Sequence, residues 1–327
     1  LNRRSVVGVI VASTFPWIVP ALAGEASVLR ISAVSGAVMP QDFRAAVKEG
    51  IFERHGLKLE IAELATGIDN ITATINGSAE IAYADVFAGL GAIKNGFDIG
   101  FVSPHNTTTP AHYFLVAADS EITDFADIEG KKVVIGAPPQ FRVISSAILQ
   151  EQGIDPSTVN FTIVPDQTTF GSLLRTGQAD VISTSSTILA YRWIDEYGFK
   201  VIGKPEELND NLAAGSPIAG WWATRAWFEQ NRDLADRFRA AIGETTEWYA
   251  SLPNEARADY VKEQTGLDLV ALDQQTPGLL EATTAYFGFG GPVDLEKLST
   301  WIALGTQYAN VPSEVDLERH IFETARQ

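Results

Sequence analysis

Cysteine is absent from the 327 residues, methionine occurs once and histidine four times. Without cysteine there is no disulfide framework, no thiol nucleophile and no thioether lipid anchor. The histidines, His55, His105, His112 and His320, stand in no HExxH or other metal-ligand spacing, so they read as surface or loop residues and no metal is expected. Positive charge is scarce as well: 24 Lys+Arg face 41 Asp+Glu, a formal net charge of −17. So acidic a surface repels phosphate backbones and anionic lipid and argues against a nucleic-acid partner, although donors in a cleft can still hold an anion locally. Neither a GxSxG nucleophile elbow nor a GxxxxGK[ST] phosphate loop is present, and the hydroxyls of Ser183-Thr184-Ser185-Ser186 have no base partner identifiable in the sequence. The expectation is a protein without catalytic residues and without a cofactor.

What is present begins with Arg3-Arg4, the apolar run Val6 to Ala12, and the small-residue exit Ala21-Leu22-Ala23. A basic tip, a short apolar stretch and a small-x-small site describe a secretory signal peptide over residues 1–23. Pro16 and Pro20 break the run, and nothing after residue 23 is long and apolar enough to span a bilayer. Arg3-Arg4-Ser5-Val6-Val7 suits a twin-arginine export signal as well as an ordinary one. Removing these residues takes two cations and no acid, which moves the formal charge from −17 to −19. A free exported protein is expected.

The remaining chain alternates strand and helix patterns. Val28 to Val34, Leu57 to Ile61, Glu80 to Ala84 and Ile99 to Ser103 read as strands separated by helical spacing such as Phe43, Ala46, Val47, Ile51. After another apolar run, His112 to Ala117, the pattern starts afresh with Lys132 to Gly136, Asn160 to Val164, Ala179 to Ser183 and Lys200 to Gly203. Two successive βα series predict an α/β protein of two similar lobes, each a mainly parallel sheet flanked by helices; one continuous doubly wound sheet is the alternative. Beyond Trp221 to Thr224, residues 226–250, 254–265 and 294–309 read as helices of a tail that packs onto an existing lobe.

Small polar residues recur just after the strands: Ser35-Gly36, Thr66-Gly67, Asp85 and Asn106-Thr107 in the first series, then Gln140-Phe141-Arg142, Thr168 and Thr184-Ser185-Ser186 in the second. Ligands of open α/β sheets gather outside the carboxyl ends of strands, where unpaired helix N–H groups can hold an oxyanion. Each such residue can equally be an ordinary helix cap. Arg142 opens a helix and offers a fork of donors to a carboxylate or sulfonate. Asp85 points the other way, toward an amine, amidine or heterocyclic N–H.

Several segments carry a resemblance. Ala45-Ala46-Val47-Lys48-Glu49-Gly50-Ile51-Phe52-Glu53-Arg54-His55-Gly56-Leu57, Ile75-Asn76-Gly77-Ser78-Ala79-Glu80-Ile81-Ala82, Ile128-Glu129-Gly130-Lys131-Lys132-Val133 and Leu174-Arg175-Thr176-Gly177-Gln178-Ala179-Asp180-Val181 resemble, in order, segments of the periplasmic solute-binding proteins of ABC importers. The branch is the nitrate/sulfonate/taurine and thiamine-precursor group, NMT1/THI5-like or SsuA/TauA-like; Glu80 stands where that group usually has Asp. The resemblance implies a type II periplasmic-binding-protein fold with a two-strand hinge. Residues 27–118 would form the first part of lobe 1, 119–215 lobe 2, and 216–327 the return to lobe 1. It implies a monomer that captures a small organic solute (organic acid, sulfonate or nitrogen heterocycle) and delivers it to a membrane permease. By position the ligand residues would be Ser35, Met39, Thr66, Asp85, Asn106 and Thr107 in lobe 1, with Trp221 near the hinge. In lobe 2 they would be Gln140, Phe141, Arg142, Thr168, Thr184 and Ser185. Tyr83-Ala84-Asp85-Val86-Phe87 stands where sulfonate binders tend to have a serine-rich loop, which weakens a simple sulfonate or nitrate assignment. A ligand sensor for a membrane receptor and a pyrimidine-synthesis-type enzyme of the same fold remain as alternatives.

Overall fold

The computed structural model describes residues 26–34, 40–107, 112–203, 217–274, 278, 280–281 and 292–326. The proposed signal peptide therefore lies outside the described residues, as do Ser35 and Met39.

Two five-stranded sheets form, one from each βα series. In the first, β1 (Ser27–Val34), β2 (Leu57–Leu64) and β3 (Ile81–Asp85) run parallel, while β4 (Ile99–Thr107) and β10 (Pro217–Thr224) complete the order β2-β1-β3-β10-β4. The second has β6 (Lys132–Gly136), β7 (Asn160–Val164) and β8 (Val181–Thr184) parallel, then β5 (Tyr113–Val116) and β9 (Lys200–Ile202), in the order β7-β6-β8-β5-β9. The fourth strand of each sheet comes from the other half of the chain and is antiparallel to both neighbours. Each sheet is thus mixed: its parallel half comes from βα units and its antiparallel half from the crossings.

The chain passes between the sheets twice, from β4 to β5 and from β9 to β10. β4 and β10 are hydrogen-bonded neighbours, and so are β5 and β9, so the crossings leave and arrive side by side. Tyr113–Val116 belongs to the second sheet, which moves the first passage ahead of the boundary expected at 118. An apolar run buried at all four positions carries no mark of which sheet it joins.

The helices that frame the strand ends are α1 (Gln41–Lys48), α2 (Ile51–Arg54), α3 (Gly67–Ile75) and α4 (Val86–Lys94) on the first sheet. On the second they are α5 (Pro139–Glu151), α6 (Phe170–Arg175) and α7 (Thr187–Tyr197). The helix expected over 226–250 is two helices, α8 (Arg225–Gln230) and α9 (Arg232–Ser251). Asn231 divides them: its extended φ of −131° ends the first, and its side chain Nδ2 donates to the Trp227 carbonyl. The tail continues through α10 (Asn254–Thr265), α11 (Leu269–Asp273) and α12 (Leu295–Ala309).

This tail touches both halves. Phe87 of α4 stacks on Trp301 of α12 at 5.1 Å between centroids, and α12 also packs along α5 of the second lobe. Ile188, in the first turn of α7, shares a small apolar cluster with Ala258 and Val261 of α10 and Leu269 of α11. One apolar core accordingly runs from the first sheet into the α5 face of the second, and a separate cluster around Phe170, Leu189 and Trp193 fills its other face.

Candidate functional site

The strand ends of the first sheet converge on a buried polar centre. Asp85 ends β3 and caps α4, its Oδ1 accepting the Ala88 N–H at 3.0 Å. Its other oxygen lies against Gly67: a Cβ there would come within 3.2 Å of Oδ2, so the glycine lets α3 approach this closely. Burial pushes the Asp85 carboxyl up to about 6. Beside it, Tyr83 feels the charges of both Asp42 and Asp85, and burial holds its phenol well above the usual tyrosine range.

Asp42, 5% exposed, sits in the first turn of α1. Its Oδ2 lies 2.8 Å from His105 Nε2, and His105 Nδ1 lies 2.9 Å from the Trp221 indole Nε1. An indole N–H can only donate, so Nδ1 accepts; Nε2 then carries the hydrogen and donates to Asp42. The geometry thus fixes His105 as one neutral tautomer. Trp221 is fully buried among Phe43, Tyr83 and Phe238, its polar edge committed to His105.

The second sheet carries a matching centre. His112, fully buried, enters β5 with Nδ1 2.8 Å from Ser185 Oγ and Nε2 2.7 Å from Ser183 Oγ. Ser183 Oγ is 2.7 Å from Ser145 Oγ, which donates to the Phe141 carbonyl at 2.6 Å. Burial lowers the His112 imidazole to about 3, so it is neutral at ordinary pH. Two expectations from the sequence are corrected here. His105, His112 and His320 are buried rather than superficial, and Ser185 does have an imidazole partner.

The other expected residues are placed as follows. Thr66 forms a capping box with Asp69, its hydroxyl accepting Asp69 N–H at 3.1 Å and donating to Asp69 Oδ2 at 2.8 Å. Thr168 is exposed and folds its N–H and hydroxyl onto Asp166 Oδ1. Thr184 Oγ1 accepts the Ser186 N–H, and Ser186 Oγ accepts that of Leu189. Gln140, Phe141 and Arg142 form the first turn of α5 after Pro138-Pro139; the Gln140 Oε1 is buried without a partner and Phe141 is packed against Gly136. Arg142 spreads its guanidinium over the Phe161 ring at 4.0 Å, a cation–π contact at the β7 edge. Asn106 and Thr107 are backbone partners of Ala219 and Pro217 in the first crossing, and their side chains lie outside the described residues. The amides of Asp69, Ala88, Thr168 and Leu189, near four helix or turn starts, are thus already taken by side chains.

Asp42 and Ser185 are linked through α10. Gln264, at its end, donates to the Gln41 carbonyl beside Asp42, and its Ala258 and Val261 meet Ile188 three residues after Ser185. The sequence reading missed Asp42, His105 and His112 as site residues; their partners lie 63 and 73 residues away. Among the described residues no group of three or more His, Asp or Glu could hold a metal. What the arrangement can do is bind: buried acceptors and hydroxyls from two sheets flank one helix.

A protein-family model described as NMT1/THI5 like matches residues 42–256. No curated protein sequence matches the chain. Among solved structures, the alkanesulfonate-binding protein SsuA from Xanthomonas axonopodis pv. citri bound to MOPS superposes with a TM-score of 0.69 at 16% identity, covering 92% of this chain and 99% of that one. The periplasmic aliphatic sulphonate binding protein SsuA from Escherichia coli gives 0.65 at 17% identity over 90% and 92% of the two chains. The ligand-binding component of an ABC-type import system from Staphylococcus aureus, with zinc bound, gives 0.68 at 11% identity over 92% and 99%. At such identities these likenesses establish a shared two-lobed fold.

Proposed function

Because the chain belongs to the NMT1/THI5-like family, whose model matches its residues 42–256, we propose that it captures a small organic solute between its lobes and passes it to the permease of an ABC importer. The observation that carries this reading is the placement of Asp42, Tyr83 and Asp85 at the strand ends of one sheet and of His112, Ser185 and Gln140 at those of the other, joined, among the described residues, by paired crossings and the tail. A ligand touching both lobes favours the closed arrangement by mass action. Work outside the cytoplasm, as a monomer, belongs to the same reading. The likeness to binding components of importers supports it.

Among the described residues, the Ser185–His112 contact is the feature that favours chemistry. A general base needs a pKa near the working pH, and an imidazole lowered to about 3 by burial does not take the serine proton there. The pair orients a hydroxyl instead of activating it. Small-angle scattering of protein carrying its copurified small molecule, before and after that molecule is removed by unfolding and refolding, tests the proposal. A larger radius for the emptied protein is expected; identical curves from protein shown to have held a ligand would overturn it.

A further inference from the structure

Strand direction fixes which parts of the two lobes look at each other. β10 is antiparallel to β3 and to β4, so β4 runs with β1, β2 and β3 and ends, at Thr107, on the side of their carboxyl ends. β5 is antiparallel to β8, so it begins, at Tyr113, on the side of the carboxyl ends of β6, β7 and β8. From Thr107 to Tyr113 is six steps of chain, a reach of at most about 22 Å. The return repeats the pattern. β9, antiparallel to β5, ends at Ile202 on that same side, and β10 starts at Pro217 on the carboxyl side of the first sheet. The carboxyl ends of both sheets therefore face one gap. The crossing strands β10-β4 and β5-β9 form one flank of each sheet, and β2 and β7 are the opposite edges. The mouth of the gap lies between the carboxyl ends of β2 and β7.

Singly exposed apolar side chains are ordinary; here their placement is what distinguishes them. Ile68, the second residue of α3 just past β2, is 63% exposed, and Ile163, next to last in β7, is 60% exposed. Among the described residues the other large exposed apolar side chains are Val28, Phe97 and Val270, each less exposed. Val28 and Phe97 sit at the amino ends of β1 and β4, away from the gap, and Val270 is on α11. The charges beside the two isoleucines are complementary. Glu63 of β2 meets Arg44 of α1 at 2.8 Å through Oε1 and stays 44% exposed. At the matching place in the second lobe, Arg142 of α5 lies on the Phe161 ring of β7, which leaves the N–H donors at the guanidinium edge open. No carboxylate among the described residues pairs with Arg142, and burial is the one influence that lowers its pKa.

We propose that Ile68 and Ile163 are the two halves of a latch that meets across the mouth of the gap when the lobes close, with Arg142 turned toward Glu63. This rests on the capture reading above and adds how the solute is held. The lobes turn about the crossings, so the outer edges travel farthest. Their contact takes both isoleucines out of water in the closed form alone, which favours that form and slows release.

The chain has no cysteine, so an introduced pair of thiols stands by itself. Both positions are exposed, and the substitutions leave the core untouched. The full chain with Ile68→Cys and Ile163→Cys, mildly oxidised, is expected to form an intramolecular disulfide, which requires Cα atoms within about 7 Å. Val28→Cys with Ile163→Cys is the control, and the mouth pair is expected to close at least about tenfold faster. Adding Arg142→Gln is expected to slow the mouth pair about threefold at low salt; an unchanged rate overturns the charged half of the latch. In protein carrying its copurified solute, the disulfide is expected to hold that solute through dialysis that empties the reduced form. Equal loss from both forms overturns the latch. So does a rate no greater than the control's, a disulfide joining two molecules, or no disulfide although both thiols take up a maleimide. Scattering of loaded and emptied protein then separates the two readings: compaction with solute leaves capture standing, and its absence overturns both.

Discussion

Asp85 and His112 are both desolvated, yet their burial acts on stability in opposite directions. A carboxyl raised to about 6 binds its proton more tightly folded than unfolded, where about 3.9 is usual. Its contribution therefore improves as pH falls from about 6 toward about 4 and is lost as pH rises through the same window. His112, lowered to about 3, stays neutral in the fold while the unfolded imidazole charges near about 6.5, so its contribution is full at neutral pH and is lost as pH falls. Asp85→Asn keeps a capping oxygen and removes the titration. Urea unfolding at pH 4.5 and 7.5 should show the variant gaining on the parent at the higher pH by about 2 kcal/mol; an equal offset at both pH values would refute the assignment. Trp221→Phe should cost about 1–3 kcal/mol by leaving His105 Nδ1 buried without its donor. Urea midpoints of the variant and the parent read that loss, and an unchanged midpoint would refute it.

At the scale of elements, α12, like α10, has neighbours in different lobes. Gly305 lies close against α4: a Cβ there would fall 2.6 Å from the Phe87 ring. Gly305→Ala should destabilise by about 1–3 kcal/mol through overpacking despite the better helix propensity of alanine, as read by urea midpoint. A neutral or stabilising outcome would mean that α12 shifts freely against α4. Local signals made much of this level readable in advance. Asp85 as a cap, the strand at Lys132–Gly136 and the helix at Asn254–Thr265 all follow from spacing within a dozen residues. The break at Asn231 was missed because both flanking segments are apolar at helical spacing, whereas in the fold α8 packs against β10 and its Phe228 stacks on Phe322.

Across the whole molecule, the contact of Ile188 with α10 and α11 is one of the places where the lobes meet away from the crossings. Ile188→Ala removes apolar surface from that contact and should weaken the closed form by about 1–2 kcal/mol. The expected readout is a larger radius in scattering and about tenfold weaker retention of the copurified solute; unchanged scattering and retention would show that the contact plays no part in closure. The tail thus makes contacts with both lobes besides the two crossings.

The sequence by itself determined the two βα series, their strand ends and most helix caps, because periodicity and capping depend on residues a few positions apart. It also determined the absence of a thiol, since no fold can supply a cysteine the sequence lacks. Only the tertiary structure decided that Tyr113–Val116 joins the second sheet, that His105 meets Asp42 and that His112 meets Ser183 and Ser185. Those pairings span 63 to 73 residues. They exist because sheet order brings distant strand ends together, and the direction of each hydrogen then follows from which neighbour can only give or only take.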